Sequence, residues 1–267
     1  MSALTFSLRD KPAQRLDLSP LVPARLAKLK PKEIEALRIG TTRLKLTVGD
    51  AFKVKGSDAG KLRFVGTDVR CDFIGKELRD GAILVDGDAG AYLGAAMKSG
   101  SIEVKGNAGA LAGASMLGGT LAIAGHAGER AAGVLVGETH GMKGGVLTIG
   151  RNAGPLVGER MRRGLVIVNG DAGDYAGGRM IAGTILFKRR VGKNAGYLLR
   201  RGSLIFLREP DEVLPTFGDS GVIEFDYLRL LERWLRETGR PVRLSGRARR
   251  LTGDMAALGK GEMLIIA

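Results

Sequence analysis

Hydrophobic residues recur along the middle of the chain in pairs that are two positions apart, and each pair begins two residues after a glycine. Residues i and i+2 of an extended chain point to the same face, so each pair predicts a short β-strand with one buried side. The pairs are Leu62/Phe64, Ile83/Val85, Ile102/Val104, Leu121/Ile123, Leu147/Ile149, Val166/Val168, Ile185/Phe187 and Leu204/Phe206.

The glycine that opens each unit recurs with a period of 19 residues. Gly81, Gly100 and Gly119 follow one another at this step, and so do Gly164, Gly183 and Gly202. The text between them is also similar, as GAILVDGDAGAYLGAAMKSG and GSIEVKGNAGALAGASMLGG illustrate. Such self-similarity predicts units that stack on one another and do not fold alone.

Turn residues follow each strand in the segments GDAG, GNAG, GHAG and RNAG. Glycine supplies positive φ there, and Asp88, Asn107, Asn152 and Asp171 are expected to hydrogen-bond their local backbone. A second column of glycines marks another corner. One further position of the repeat holds Met97, Met116, Met161, Met180 and Leu199. Because that period is the period of the stack, we interpret the methionines as an internal ladder rather than a cofactor site.

Short strands separated by corners, without room for a helix between them, predict an all-β fold. We expect a right-handed parallel β-helix of about seven to eight 19-residue coils over residues 57–208. A strand spacing of about 4.8 Å would make it roughly 30–40 Å tall. Seven extra residues lie between Gly119 and Gly145 and are predicted to bulge outward.

The flanking segments predict an N-terminal cap and a C-terminal segment that packs on the coil. Residues 1–56 form the N-terminal cap, with LTFSL, LKLTV and FKVKG as strands and a short helix from Lys30-Pro31-Lys32-Glu33. Residues 209–267 form the C-terminal segment. There EFDYLRLLERWLRETG predicts an amphipathic helix packed on the coil, followed by VRLSG and MLIIA as strands.

Composition indicates the kind of partner and the cellular compartment of the protein. The net charge is +14 and the pI is about 10.2, which favours acidic partners. The presence of 42 glycines with only 5% aromatic residues indicates many tight turns. A single cysteine, Cys71, excludes an internal disulfide and fits a reducing cytoplasm. No signal peptide and no long apolar run are visible, so we expect a cytoplasmic protein without a membrane partner.

Residues that carry chemistry are few. His126 occupies the Asp/Asn position of its unit and is expected to be a turn residue, and His140 is expected on the surface of the inserted loop. Neither has a histidine or cysteine at ligand spacing, so no metal site is predicted. Cys71 is interpreted as a buried small hydrophobe. The text GDAGAYLG does not match a phosphate-binding loop. We therefore expect no catalytic residue in this chain.

Basic residues are the only surface feature that the repeat predicts to lie together. Stacking would bring together one row, interrupted by Leu117 and Ile181, which we call the basic strip. It consists of Lys98, Lys143, Arg162, Arg163, Arg200 and Arg201. Lys188, Arg189, Arg190 and Lys193 would thicken the charge near the last coils, and Arg243, Arg247, Arg249 and Arg250 would add a basic tail. The strip is either a solvated face or an interface with an acidic subunit or polyanionic ligand.

The iterated G-x-[IL]-x-[VI]-x-G-[DN]-A-G-x-x-x-G-x-x-M-x-x-G over residues 57–207 resembles the C subunit of formylmethanofuran dehydrogenase and its bacterial relative in the formyltransferase/hydrolase complex. It is also similar to the C-terminal domain of the glutamate synthase large subunit. The resemblance implies a β-helix in a cytoplasmic multi-subunit enzyme for one-carbon transfer on a methanofuran-like carrier. It also implies that metal and formyl chemistry belong to other subunits.

The leading hypothesis is a non-catalytic scaffold subunit of a formyltransferase/hydrolase complex in formaldehyde oxidation and methylotrophy. Its partners would be the catalytic subunits, which would hold the metal and the carrier, with no nucleic acid involved. Methanofuran-type carriers bear glutamate-rich tails, so Arg162, Arg163, Arg200 and Arg201 are expected to contact such a tail or an acidic subunit.

Three alternatives stay open. The first is the C subunit of the archaeal-type formylmethanofuran dehydrogenase, although many arginines and alanines relative to lysine and isoleucine favour the bacterial version. The second is a glutamate-synthase-type β-helix subunit that spaces two active sites. The third is a β-helix protein acting on acidic polysaccharide, against which the missing export signal and missing acidic calcium cluster argue.

Overall fold

A computed structural model describes residues 2–43 and 45–267 of the chain. Strands dominate them, and the helices are few and short. The helices are α1 (Pro23–Leu26), α2 (Pro31–Glu35), α3 (Val48–Ala51) and α4 (Asp226–Glu237). The strands are β1 (Ala3–Leu8), β2 (Leu16–Asp17), β3 (Phe52–Lys55), β4 (Asp58–Val65), β5 (Cys71–Asp72), β6 (Ala82–Asp86), β7 (Ser101–Val104), β8 (Thr120–Ile123), β9 (Lys143–Ile149), β10 (Arg163–Val168), β11 (Thr184–Phe187), β12 (Arg201–Phe206), β13 (Gly218–Glu224), β14 (Arg247–Gly253) and β15 (Lys260–Ile266).

A mixed sheet of 13 strands runs through the molecule in the order β13-β14-β15-β12-β11-β10-β9-β8-β7-β6-β4-β1-β3. Strands of consecutive repeat units are parallel neighbours, and their register equals the sequence repeat. Ile83 lies opposite Ile102, and Ile102 opposite Leu121. All eight predicted apolar pairs are buried. The predicted strands of the repeat and their inward faces are therefore confirmed.

A second column of pairing joins the same units at their corners. Parallel bridges link Ala89, Ala108, Ala127, Ala153, Ala172 and Val191 in succession. Each of these side chains is nearly fully buried. Adjacent units are thus held in register both along the main strand and at the Ala-Gly corner.

The Asp/Asn column bonds differently from the prediction. The Oδ1 atom of Asp88 accepts from the backbone N–H of Asn107 at 2.6 Å, and Oδ1 of Asn107 accepts from that of His126 at 2.8 Å. The expected local bonds are therefore wrong, because each side chain reaches the equivalent N–H of the next unit. Units that stack at strand spacing bring that N–H within reach.

The repeated glycine is required where two units approach closely. Gly100 has φ of 81°, and a Cβ atom there would lie 2.6 Å from the carbonyl oxygen of Gly81. A larger residue would be strained by its backbone conformation and would collide with the preceding unit. The 19-residue glycine period therefore reflects contact between units.

The methionine column lies in the interior, as predicted. Met97, Met116, Met161, Met180 and Leu199 are fully buried, and Met142 of the inserted unit joins them. The inserted residues themselves bulge outward, and Val136 is 94% exposed. The predicted internal methionine ladder and the predicted outward bulge are therefore both confirmed.

The N-terminal segment pairs with the first repeat strand. Strand β1 contains the predicted LTFSL and runs parallel to β4, and β3 contains most of FKVKG and is antiparallel to β1. The predicted strand LKLTV is wrong where it is described, and its first residue, Leu44, lies outside the described residues. Helix α3 begins there because the Thr47 and Asp50 side chains cap it reciprocally.

The C-terminal segment covers the outer face of the sheet. Helix α4, which confirms the predicted amphipathic helix, packs Leu228 and Leu235 onto a cluster that includes Ile167, Leu186 and Ile205. Strand β15 contains most of MLIIA. The predicted strand VRLSG is wrong, because Val242 and Leu244 belong to the same cluster and Ser245 and Gly246 form a turn with positive φ.

Candidate basic interface

The predicted basic strip forms a row that Leu117 and Ile181 interrupt. The backbone N–H of Arg162 donates to the carbonyl oxygen of Met142 at 2.8 Å, and that of Arg200 donates to the carbonyl oxygen of Met180 at 2.9 Å. Arg163 lies opposite Lys143 in the sheet. The backbone ladder therefore aligns these side chains along successive units, as the 19-residue spacing predicted.

Four arginines of the strip carry free charge. Arg162, Arg163, Arg200 and Arg201 are exposed, and within residues 2–43 and 45–267 none of their guanidinium groups forms an ion pair or hydrogen bond. Lys143 differs, since its Nζ pairs with Glu138 of the inserted loop at 3.0 Å. The unpaired guanidinium groups can bind carboxylates in bidentate geometry.

The basic residues that were predicted to add charge near the last coils form a second surface, separate from the basic strip. Lys188, Arg189 and Arg190 follow β11, whereas the basic strip lies at the opposite ends of these strands. With Arg208 they line a separate cleft of about 540 Å³. Partial burial lowers the pKa of Lys188. The strand length between the two ends makes these surfaces distinct.

Two of the four arginines in the predicted basic tail pair with neighbouring acids, whereas Arg243 and Arg247 form no ion pair within the described residues. Arg249 pairs with Glu209 at 2.9 Å and with Asp219 at 2.8 Å. Arg250 pairs with Glu262 at 3.0 Å. The hydrogen bond from Arg249 lowers the pKa of Asp219. These side chains therefore contribute to the C-terminal packing more than to a free basic surface.

A large cleft adjoins the strip at Arg200. Its volume is about 730 Å³, and Arg160, Arg179 and Arg200 line it from successive units. Thr139 and His140 of the inserted loop and residues 256–258 of the β14–β15 hairpin also line it. We call it the arginine cleft. Arg160 and Arg179 were not predicted, although their separation of one repeat period is visible in the sequence.

Two buried polar residues anchor the walls of the arginine cleft. The Ser115 hydroxyl donates to the carbonyl oxygen of His140 at 3.0 Å and accepts from the backbone N–H of Leu135 at 3.3 Å, which fixes the inserted loop. The Asp254 carboxylate accepts from the N–H groups of Leu198 and Ala256, which fixes the hairpin. Neither anchor could be predicted, because each joins residues that are far apart in the sequence.

A smaller cleft of about 430 Å³ lies beside it, around Glu159. This buried carboxylate faces Arg130 at 3.8 Å and Arg179 at 3.6 Å. The rings of Tyr175 and Tyr197 meet edge to face with centroids 5.8 Å apart. Glu159 thus offsets part of the positive charge of Arg179 but none of that of Arg160 or Arg200.

The remaining candidates for chemistry have structural environments. His126 belongs to the Asp/Asn column, and its Nδ1 faces the backbone N–H of Asn152 at 3.3 Å, so its interpretation as a turn residue holds. His140 contacts the Thr139 hydroxyl at 2.6 Å. Cys71 is fully buried, and this burial raises the pKa of its thiol to about 11. A thiol with so high a pKa is a poor nucleophile at neutral pH.

Residues 2–43 and 45–267 contain no group of three or more His, Cys, Asp or Glu side chains placed to hold a metal ion. Among the helices of the same residues, none has the length and apolar character needed to cross a bilayer.

Known proteins resemble this chain at three levels. The family model described as the GXGXG motif matches residues 44–235. The C subunit of the formyltransferase/hydrolase complex Fhc of Methylorubrum extorquens is 40% identical over 89 residues, which are 33% of this chain. That aligned stretch spans 34% of the length of the curated relative.

The third comparison covers almost the whole chain. A chain in the X-ray crystal structure of the formyltransferase/hydrolase complex (FhcABCD) from Methylorubrum extorquens in complex with methylofuran matches with a TM-score of 0.93 and 40% identity. The match includes 98% of this chain and 99% of that one. The chain therefore belongs to the GXGXG-motif family, and the resemblance to the C subunit of the formyltransferase/hydrolase complex that its repeat indicated is confirmed.

Proposed function

We propose that this chain is a non-catalytic scaffold subunit of a formyltransferase/hydrolase complex that transfers one-carbon units on a methanofuran-like carrier in the cytoplasm. The observation that carries the proposal is the match over 98% of the chain, at a TM-score of 0.93, to a chain of a complex solved with methylofuran. In this assignment the catalytic subunits hold the metal and the reactive part of the carrier, and this chain binds neither directly.

For the repeat we propose a right-handed parallel β-helix of about seven to eight coils over residues 57–208. Parallel register along the main strands and along the alanine column supports a chain that returns to the same two positions in every unit. Residues 1–56 would close one end and residues 209–267 would close the other. A rigid stack of this kind offers long side surfaces on which other subunits can be held apart.

The basic strip is assigned to contact with an acidic partner. Arg162, Arg163, Arg200 and Arg201 would bind either the acidic tail of the carrier or an acidic subunit. Their exposure and unpaired guanidinium groups support this role, since an acidic partner would be attracted without first breaking internal ion pairs.

The scaffold proposal is tested by assembly. The chain is coexpressed in tagged form with the subunits of the complex encoded in the same genome, and formyltransferase and hydrolase activities are measured with the chain and without it. We expect the subunits to copurify in fixed stoichiometry and the complex to fall apart when this chain is omitted. A chain that purifies alone as a monomer would contradict the proposal.

A further inference from the structure

The arginine cleft is built by three distant parts of the sequence. Its floor carries arginines from successive repeat units, one wall is the inserted loop with His140, and the other is the loop between β14 and β15, which contains Leu258. Ser115 and Asp254 hold the two walls through buried hydrogen bonds. The walls are therefore anchored parts of the fold.

The charge of the cleft is positive and largely uncompensated. Arg179 shares the Glu159 carboxylate at 3.6 Å, whereas Arg160 and Arg200 form no ion pair within the described part of the chain. Among the same described residues, no acidic side chain lines the cleft. An occupant therefore needs a carboxylate or another anionic group to complement the arginines.

The walls add an apolar surface that a purely polyanionic ligand would not use. Leu258 is 55% exposed and lines the cleft, and Met255 on the same loop is 59% exposed. Ile181 and Leu198 line it between the arginines. Met and Arg are both enriched at protein interfaces, so exposed Met255 beside these arginines favours a protein partner over a small polyanion.

We infer that the arginine cleft docks a segment of a partner subunit in which an acidic side chain stands next to an apolar one. The acidic group would pair with Arg160 and Arg200, and the apolar group would cover Leu258 and Ile181. The inference rests on the proposed function, because it needs a hetero-oligomeric complex. One contact between subunits of that complex would then lie at the arginine cleft.

The test compares two double variants with equal changes in charge and polarity. In the first, Arg160→Glu and Leu258→Glu alter the cleft. In the control, Arg189→Glu and Leu230→Glu alter an exposed corner and the outward face of α4, where Leu230 is 66% exposed. Each full-length chain is titrated onto the other subunits, which are purified separately and then mixed, and thermal unfolding verifies that both variants fold.

The cleft variant is expected to bind the other subunits at least about tenfold more weakly, while the control binds as the unmodified chain does. A photo-crosslinking residue at Ala257 should then join the chain to one stretch of a single partner that contains Asp or Glu beside an apolar residue. Equal weakening of both variants would mean that net charge decides, and it would overturn the inference.

Two further results distinguish failure of the docking site from failure of the scaffold function. If the cleft variant assembles normally but loses binding of inorganic phosphate shown by the unmodified chain, the cleft takes a small anion and docking is overturned. If the unmodified chain does not bind the other subunits at all, the scaffold function itself fails. If the unmodified chain and the cleft variant both assemble normally, the scaffold function stands and only the proposed docking site is overturned.

Discussion

The first and second halves of the repeat share an interior and differ on the surface. Along one outward register position, strands β6 to β8 carry Leu84, Glu103 and Ala122, whereas β10 to β12 carry Ile167, Leu186 and Ile205. Helix α4 packs on the second set. The sheet face is mixed in polarity where it is open and apolar where the helix covers it.

The corners differ in the same way. Between Gly81 and Gly125 they are filled mainly by glycine and alanine, while the later units place Arg160, Arg179, Arg189 and Arg208 there. Inward positions contact the neighbouring units, so stacking restricts them to a few residue types. Outward positions have no such restriction. Outward residues that depart from the repeat are therefore the ones expected to serve function.

The largest expected effect concerns the covered face. Leu186→Asp should destabilise the protein by about 4 kcal/mol, because it buries a carboxylate beneath α4 and removes apolar contacts. Leu84→Asp, at the matching position of the half-exposed face, should cost about 1 kcal/mol or less. Urea unfolding of both variants measures the difference. Equal losses would mean that α4 does not distinguish the halves.

The glycine column should also respond differently in the two halves. Gly100→Ala should cost about 3 kcal/mol, because its Cβ would meet the backbone oxygen of Gly81 at 2.6 Å in a left-handed conformation. Gly183→Ala should cost about half as much, because the nearest atom, 3.0 Å away, is the flexible end of Met161. Thermal unfolding compares them. A larger loss at Gly183 would contradict this account.

The four arginines of the basic strip belong to the second half, and reversing their charge tests whether that half carries the proposed contact. Replacement of Arg162, Arg163, Arg200 and Arg201 by Glu should weaken carrier affinity or complex assembly by about tenfold or more. Affinity is measured for the carrier and for the other subunits separately. Unchanged values in both assays would show that the strip is only a solubilising face.

His126 marks the boundary between the halves, where the inserted loop follows. His126→Ala should cost about 1 kcal/mol, because the backbone N–H of Asn152 loses its side-chain acceptor. His126→Asn should restore the acceptor found in the neighbouring units and keep the stability near that of the unmodified protein. Chemical denaturation distinguishes the two variants. A loss with Asn as large as with Ala would exclude the shared column as the cause.

The smallest effect concerns Asp86 in the first half. Hydrogen bonds from Lys105 and Arg63 lower its pKa, so the stabilisation is present above the ordinary pKa of the carboxyl and is lost as the pH falls through the lowered one. Asp86→Asn should cost less than about 1 kcal/mol at pH 7. Stability curves of the two proteins should converge in acid. A constant difference at all pH values would assign the effect to packing instead.

Local patterns predicted a large part of the fold. The alternating pairs, the glycine column and the methionines each lie where the repeat placed them, and α4 follows its apolar spacing. Predictions for short segments outside the repeat were less successful. LKLTV and VRLSG contain β-forming residues, but the Thr47 cap and the packing of Leu244 beneath α4 outweigh that preference.

The candidate site was only partly predictable. Stacking aligned Arg162 and Arg200 from their spacing alone, and the spacing of Arg160 and Arg179 carried the same signal. The prediction placed Arg189 only near the last coils, and the structure adds that the length of a strand separates it from the basic strip. The meeting of His140, Arg200 and Leu258 depends on a long-range hairpin that no local pattern indicates.

The sequence by itself determined the stacked units, their register and their buried residues, because a 19-residue period repeats the same local forces in every unit. Only the tertiary structure decided how the outward side chains combine. Helix α4, the inserted loop and the β14–β15 hairpin come to the repeat from distant positions, and their packing divides its surface into covered, basic and concave regions. Those contacts depend on the shape of the assembled stack, so they could not be read from any one unit.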